Sequence, residues 1–398
     1  MKQEIKSNIW KYYAGALLGG FAFFYNAIDT LYYRYFELSF QQIGWIISAS
    51  LISALILDIP SGAFADLYGK KKALVISAIS DFIGTIFVAL GSSFPLFLLG
   101  FAFWGAGRAF SSGASEALLF DTLKALGKER DYLKHTGRLK SFFISIDVLS
   151  GALAPLLFGL NVRLPYFVSL GAALLVVIIQ FTLREVMAVA GKFENALKTN
   201  IQQVSLGIKV ALKSKIFLWL TFFNLLVFTV SKALCEMTTT PFLIHEIGFT
   251  LQNLSVICII GSLIQSGTVF FVDKFEHKLG DKRSFFLIVL AFPATMLFYA
   301  FSRNYLLTAF LSGIYFSVVS FSEAVVGNYL THNVADDKRA TILSISSMFT
   351  SLFALVSLPI IGSVVDRISL QNSIIMLSVA FAIIGLILLR QYKSKSEI

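Results

Sequence analysis

Twelve apolar stretches run along this chain with almost nothing between them, and that spacing limits what it can fold into more than any other feature. A helix needs about 20 residues to cross the ~30 Å hydrocarbon core of a bilayer. The stretches fall at 12–33, 43–65, 73–92, 95–119, 141–161, 165–187, 216–241, 252–272, 284–302, 305–329, 340–362 and 370–390. Each has the length of one crossing, so the chain reads as an all-α membrane protein with twelve transmembrane helices.

Composition agrees: the chain is 57% hydrophobic and 14% charged, with a mean hydropathy of +0.77. Soluble domains carry about 25% charged residues. Cys235 and Cys258 both lie in apolar stretches and read as free buried thiols, since a disulfide framework or zinc site needs more sulfur at tighter spacing. The start, Met1 to Lys11, is short and basic, and the apolar run after it is too long for a signal-peptide core. It reads as a retained first helix.

Lysine and arginine set the orientation. With the N-terminus in the cytoplasm, 27 of the 33 basic residues fall on the inner side, and Arg34, Arg163, Arg303 and Arg367 are the outer ones. That asymmetry is a positive-inside signal. It also accounts for the net charge of +10, because the charges are spread over every inner loop, where they meet anionic lipid headgroups. A nucleic-acid partner would require them on one soluble face. Residues 188–215 form the one long inner connection. Leu197, Ile201, Val204, Ile208 and Leu212 recur there at helical spacing, predicting an amphipathic helix in the inner interface. The domain reading is therefore a six-helix bundle over 1–187, this linker, and a second six-helix bundle over 216–398.

The halves also repeat. Ser115-Glu116-Ala117 matches Ser322-Glu323-Ala324 at an offset of 207 residues, and the same offset takes Asp66 to Asp273. Two matches at one offset imply duplication and pseudo-symmetric halves.

At the inner end of the second span stands Asp58-Ile59-Pro60-Ser61-Gly62-Ala63-Phe64-Ala65-Asp66-Leu67-Tyr68-Gly69-Lys70-Lys71-Lys72. Gly62 permits close helix approach, Asp66 can accept hydrogen bonds at a neighbouring helix N-terminus, and Gly69 permits a tight turn. The pattern resembles the signature loop of the major facilitator superfamily, and the resemblance covers essentially the whole chain. The second half keeps Asp273 but has Val269 and Glu276 in place of Gly62 and Gly69, with a glycine-basic run, Gly280-Asp281-Lys282-Arg283, four residues late. Asp336-Asp337-Lys338-Arg339-Ala340-Thr341 is similar to the family's charged lead-in to the eleventh helix. The resemblance implies a secondary transporter working by alternating access, with spans one, four, seven and ten lining a central cavity. It also implies a cytoplasmic gate network of Asp66, Lys70, Lys71 and Asp121.

Ionisable groups inside transmembrane helices are costly and mark functional candidates. Arg108, in the fourth span, keeps its proton and needs a carboxylate, helix carbonyls or an anionic substrate. Lys232 and Glu236 share a face four residues apart, either as a self-neutralising pair or as a proton- or substrate-sensing one. Asp29, with Asn26, Tyr25, Tyr32 and Tyr33, can hold an organic cation or a proton, or mark the outer water boundary. Glu116 and Glu323, related by the repeat, read as gate residues, with a proton site as the alternative; Asp58 and Asp147 join the same inner layer, and Asp81 reads as structural.

The fifth span carries Gly151, Pro155 and Gly159, in a pattern similar to the glycine-proline motif of the superfamily's exporters, although Ala154 and Phe158 stand where that pattern has glycine. The leading functional reading is proton-coupled export of amphipathic organic compounds. The alternative is proton-coupled import of a small anionic or zwitterionic metabolite, and a third is an uncoupled lipid flippase or a membrane sensor. No paired-aspartate metal motif is present, and His135, His245, His277 and His332 are scattered. The expectation is a monomeric, multi-pass plasma-membrane protein with both termini cytoplasmic. It needs no metal or cofactor beyond a proton gradient, is not an enzyme, and has a small molecule and the bilayer as its partners.

Overall fold

The computed structural model describes residues 2–186, 208, 212–269, 271, 276, 278–332 and 339–392. The described chain is helical almost throughout: α1 (Lys2–Ala22), α2 (Asp29–Tyr35), α3 (Phe40–Tyr68), α4 (Lys70–Leu90), α5 (Phe94–Ser111), α6 (Ala114–Ala125), α7 (Tyr132–Leu160) and α8 (Leu164–Thr182). There follow α9 (Lys215–Ala233), α10 (Leu251–Val269), α11 (Asp281–Phe301), α12 (Tyr305–His332), α13 (Arg339–Val365) and α14 (Leu370–Gln391). Between α9 and α10 the chain continues through π-helical turns at Leu234–Thr238 and Phe242–Glu246. Eleven helical stretches among the described residues are long and apolar enough to cross a membrane. The chain is a multi-pass membrane protein.

Three expected spans differ in detail. The first, 12–33, is split by a turn over Phe23–Ile28, which is why α1, with its polar start, does not qualify as a crossing by itself. Tight bonds hold this turn: Phe23 and Phe24 donate to the carbonyls of Gly20 and Phe21 at 3.2 Å. Its anchor is Tyr25, fully buried between the rings of Trp104 (5.1 Å) and Tyr166 (4.7 Å). Stacking of that kind stabilises by about 1 kcal/mol per pair beyond the area buried. The fourth span, 95–119, is broken into α5 and α6 at Gly113, whose φ of +72° suits glycine. The seventh runs past 241 because the π turns prolong it to Glu246.

The chain divides into two compact units: Met1–Ala27 with Trp45–Gln202, and Ile28–Gly44 with Gln203–Ile398. In unit 1, α4 packs on α5 and α8, and α1 packs on α7 and α8. Helices approach closely there: a Cβ at Gly105 would fall 2.2 Å from the Ser50 carbonyl oxygen. In unit 2, α10 packs on α12, α11 on α12 and α14, and α9 on α13. Its aromatic core includes Phe292 stacked on Phe381 at 4.1 Å and Phe285 edge-on to Trp219 at 4.8 Å.

Candidate functional site

Lys232 closes the last turn of α9, and Glu236 sits in the π-helical turn that follows. Their side chains form an ion pair, and the Lys232 ammonium also lies 5.7 Å from the Phe228 ring centre. The Lys232 side chain is 17% exposed and the Glu236 side chain 43%, so the carboxylate is the more accessible of the two. A π turn breaks the ordinary bonding ladder and recurs at functional positions. Here the Glu236 carbonyl accepts a bond from the Thr30 hydroxyl of α2. Behind the pair, Cys235 Sγ meets the hydroxyl of buried Tyr315 at 3.4 Å, and that hydroxyl donates to the Ser231 carbonyl at 3.3 Å. Asn224 donates to Thr350 at 3.4 Å one level away. Asp29 begins α2 and is half-buried in the same unit. Thus Asp29, Lys232 and Glu236 share unit 2, whereas Asn26 and Arg108 belong to unit 1. Tyr32 and Tyr33 are buried rather than lining an open stripe with Asp29.

Arg108 lies in the last turn of α5, just before the Gly113 break, with its side chain exposed. It is close enough to act electrostatically on Asp81 of α4. The Asp81 carboxylate presses on bare backbone, and a Cβ at Gly107 would fall 2.1 Å from its Oδ1. Asn26, Asp58, Glu116 and Asp147 of unit 1 are exposed, as is Glu323 of unit 2. Charges within apolar spans do not face hydrocarbon.

Two of the residues expected at the gate of the first half are paired. Lys70 pairs with Asp121. Gly69, at φ +103°, turns the chain from α3 into α4, and the Lys71 N–H donates to Glu185 Oε2 at 2.8 Å. The carboxylate at this helix N-terminus is thus Glu185, while Asp66 is exposed. Asn8 ties α1 to the same place, donating to the Arg184 carbonyl and accepting from its N–H at 2.9 Å each. Lys11 donates to the Thr182 carbonyl, and the Tyr12 hydroxyl to that of Ser115 at 3.1 Å. Beneath lies a core of Ala65, Ala73, Leu74, Ala114, Leu118 and Leu183. Gly62 is half-buried in α3. Glu185, Asn8, Cys235, Tyr315 and Thr30 carried no signal in the sequence, because each meets its partners only once distant segments pack.

In the second half Asp273 lies outside the described residues, as do Asp336 to Lys338 and nearly all of the expected linker helix. Gly280, at φ +71°, immediately precedes α11 just as Gly69 precedes α4. Glu276, in the position of Gly69 by offset, is buried, and its two carboxylate oxygens accept from Asn328 at 2.8 and 2.9 Å. In α7, Gly151 and Pro155 are buried and Gly159 is exposed. Among the described residues no three His, Cys, Asp or Glu side chains cluster as a metal site would need.

The sequence profile of the family described as "Major Facilitator Superfamily" matches residues 13–353. The chain is similar to "Multidrug resistance protein 2" of Bacillus subtilis, with 24% identity covering 79% of this chain and 78% of the relative. It is also similar to "Quinolone resistance protein NorA" of Staphylococcus aureus, with 19% identity over 92% of each. Among solved structures, that of the nucleoside transporter NupG superposes with a TM-score of 0.79 at 14% identity, covering 98% of this chain and 99% of the other. At that identity the likeness shows the fold alone.

Proposed function

The chain belongs to the major facilitator superfamily and is a transporter; from that premise we propose that it exports amphipathic organic compounds in exchange for protons, by alternating access. The observation that carries the reading is the Lys232–Glu236 pair, held at a π-helical turn within an apolar span with the carboxylate half-exposed. A carboxylate so placed can trade its lysine partner for a proton or a cationic substrate. The names of the two bacterial relatives, both resistance proteins, support the direction of transport. So does the glycine-proline run of α7, with Gly151 and Pro155 buried. We assign the Arg108 side chain to substrate contact, and the Lys70–Asp121 pair, with Asp58, Glu116 and Glu323, to the gate. The protein acts as a monomer in the plasma membrane with both termini cytoplasmic, the orientation favoured by its inner lysines and arginines.

The test is ethidium efflux from loaded, energised cells, followed by proteoliposomes under an imposed pH gradient. Export should depend on the gradient. Glu236→Gln should abolish that dependence, and Lys232→Met with Glu236→Gln should restore folding without restoring coupling. Removing one partner of a buried pair costs about 3–5 kcal/mol, and less for this half-exposed one, whereas removing both is far milder. Uphill accumulation of an external solute, with no dye efflux, would overturn the reading. It would favour import of an anionic or zwitterionic metabolite, for which the exposed Arg108 in an apolar span is the supporting observation.

A further inference from the structure

Asp81 stands near the middle of α4, about 15 Å from either end of that helix. A purely structural role there would need a donor from a neighbouring helix, because an ionised carboxylate in a transmembrane span is costly when unpaired. Among the described residues none donates to it. Its Oδ1 presses on the backbone at Gly107 instead. The carboxylate borders a cavity of 50 Å³ between α1, α4, α5 and α8. Of the other side chains lining that cavity, those of Thr85 and Trp104 alone carry a hydrogen-bond donor. Both donors are spent elsewhere: Thr85 Oγ1 donates to the Asp81 backbone carbonyl at 2.8 Å, and Trp104 Nε1 donates to Thr85 Oγ1 at 3.2 Å. The rest of the lining, Gly19 and Ala173 among it, is apolar.

Charges around it are as sparse. Arg108, next to Gly107 on α5, is exposed and reaches Asp81 as a charge rather than as a hydrogen-bond donor. No residue of α8 is acidic or basic, and its Tyr166 stacks on Tyr25. The basic residues of α1 end at Lys11 and its tyrosines at Tyr13, both before Gly19, and the charges of α6 begin at Glu116, beyond the Gly113 break. Within α4 the other charges are Lys70, Lys71 and Lys72, more than two turns away. What can satisfy this carboxylate is therefore limited. A metal cation needs a shell of oxygens, and the side chains here add only the Thr85 hydroxyl, already bonded as donor and acceptor. The cavity has room for water and none for an organic molecule, whose pockets run to hundreds of Å³. A proton needs no shell. It neutralises the carboxyl, and water in the cavity can deliver it and take it away. We propose that Asp81 is a proton-binding site inside unit 1, loaded as the chain exchanges protons for its substrate. Its use in transport rests on the proton-exchange reading; the site itself does not.

The experiment records infrared difference spectra of the full chain in nanodiscs across a pH step, with no substrate and no gradient. It reads the C=O stretching band of protonated carboxylic acids, and isotope-labelled aspartate separates the aspartate component from that of glutamate. Asp81→Asn, which keeps the shape of the neutral acid, should remove a component of the aspartate band. Asp58→Asn, at an exposed carboxylate of α3, should leave that component in place. An aspartate band that is the same in Asp81→Asn as in the unmodified chain overturns the proposal. Should Asp81→Asn fail to fold, Arg108→Gln decides instead, since the Arg108 side chain is exposed. That variant removes the nearby positive charge that favours the ionised form, so the aspartate band should grow at fixed pH; a band that does not change overturns the proposal. The spectrum reads Asp81 whether or not the chain exports anything. An Asp81 component found together with dye efflux that ignores the proton gradient would leave the proton site standing and remove the exchange reading.

Discussion

Gly69 shows how much one residue can fix. Its φ of +103° and ψ of 145° belong to a region that only glycine occupies without strain. A Cβ there would also sit 2.3 Å from the Glu185 carboxylate, the group that receives the Lys71 N–H at the start of α4. Gly69→Ala should therefore cost about 2 kcal/mol or more, from backbone strain together with displacement of the cap. Gly280 supplies the control. It has a similar φ of +71°, but no described atom lies within 4 Å of where its Cβ would be. Gly280→Ala should lower the thermal unfolding midpoint less than Gly69→Ala does, and Glu185→Ala should reproduce part of the Gly69→Ala loss. Equal midpoints for the two glycine variants would show that the Glu185 contact contributes nothing.

At the scale of elements, the spans were legible because bilayer thickness fixes helix length and leaves a plain hydropathy record. The interruptions were not. The Phe23–Ile28 turn depends on Tyr25 finding Trp104 and Tyr166, two rings from distant spans, and the break at Gly113 lies in a stretch that stays apolar on both sides. The motif loop was readable as a tight turn with a helix start, and Lys70 and Asp121, singled out by the family resemblance, form an ion pair. The capping carboxylate was not readable, because Glu185 lies 114 residues from the N–H it receives. The same device recurs in unit 2. Asp366 accepts the N–H groups of Phe40 and Gln41 at 2.8 and 2.9 Å at the start of α3, and Glu246 accepts those of Leu370 and Gln371 at the start of α14. An anion at a helix N-terminus satisfies otherwise orphaned donors and complements the macrodipole. Asp366→Ala should cost about 2 kcal/mol, and Asp366→Asn, which keeps one acceptor oxygen, about half as much. Denaturant unfolding of the two variants in one detergent checks the ordering; an asparagine variant as unstable as the alanine one would mean that packing, not the charge-assisted bonds, holds this junction.

For the whole molecule, the division into units does not follow the chain's midpoint. Ile28–Gly44 belongs with the second half, although its neighbours on both sides belong to unit 1. Three contacts explain the placement. Asp366 caps α3, a Cβ at Gly362 would fall 2.3 Å from the Phe40 carbonyl oxygen, and one at Gly44 would fall 2.7 Å from the Leu358 carbonyl oxygen. Backbones this close leave room for glycine alone, so the segment is held by shape as well as by charge. Severing the chain between Gln202 and Gln203 would leave 28–44 attached to the first fragment while its partners remain on the second. Fragments 1–202 and 203–398, expressed together with a tag on one, should therefore copurify without a covalent link. Gly362→Leu should reduce the recovered partner more than Asp366→Asn does, because an isobutyl group cannot fit where a backbone carbonyl already stands, whereas asparagine still accepts one of the two bonds. Fragments that separate during mild detergent extraction, or a Gly362→Leu pair recovered as well as the unmodified one, would show that 28–44 follows the first fragment and that its docking in unit 2 is not what orders this part of the molecule.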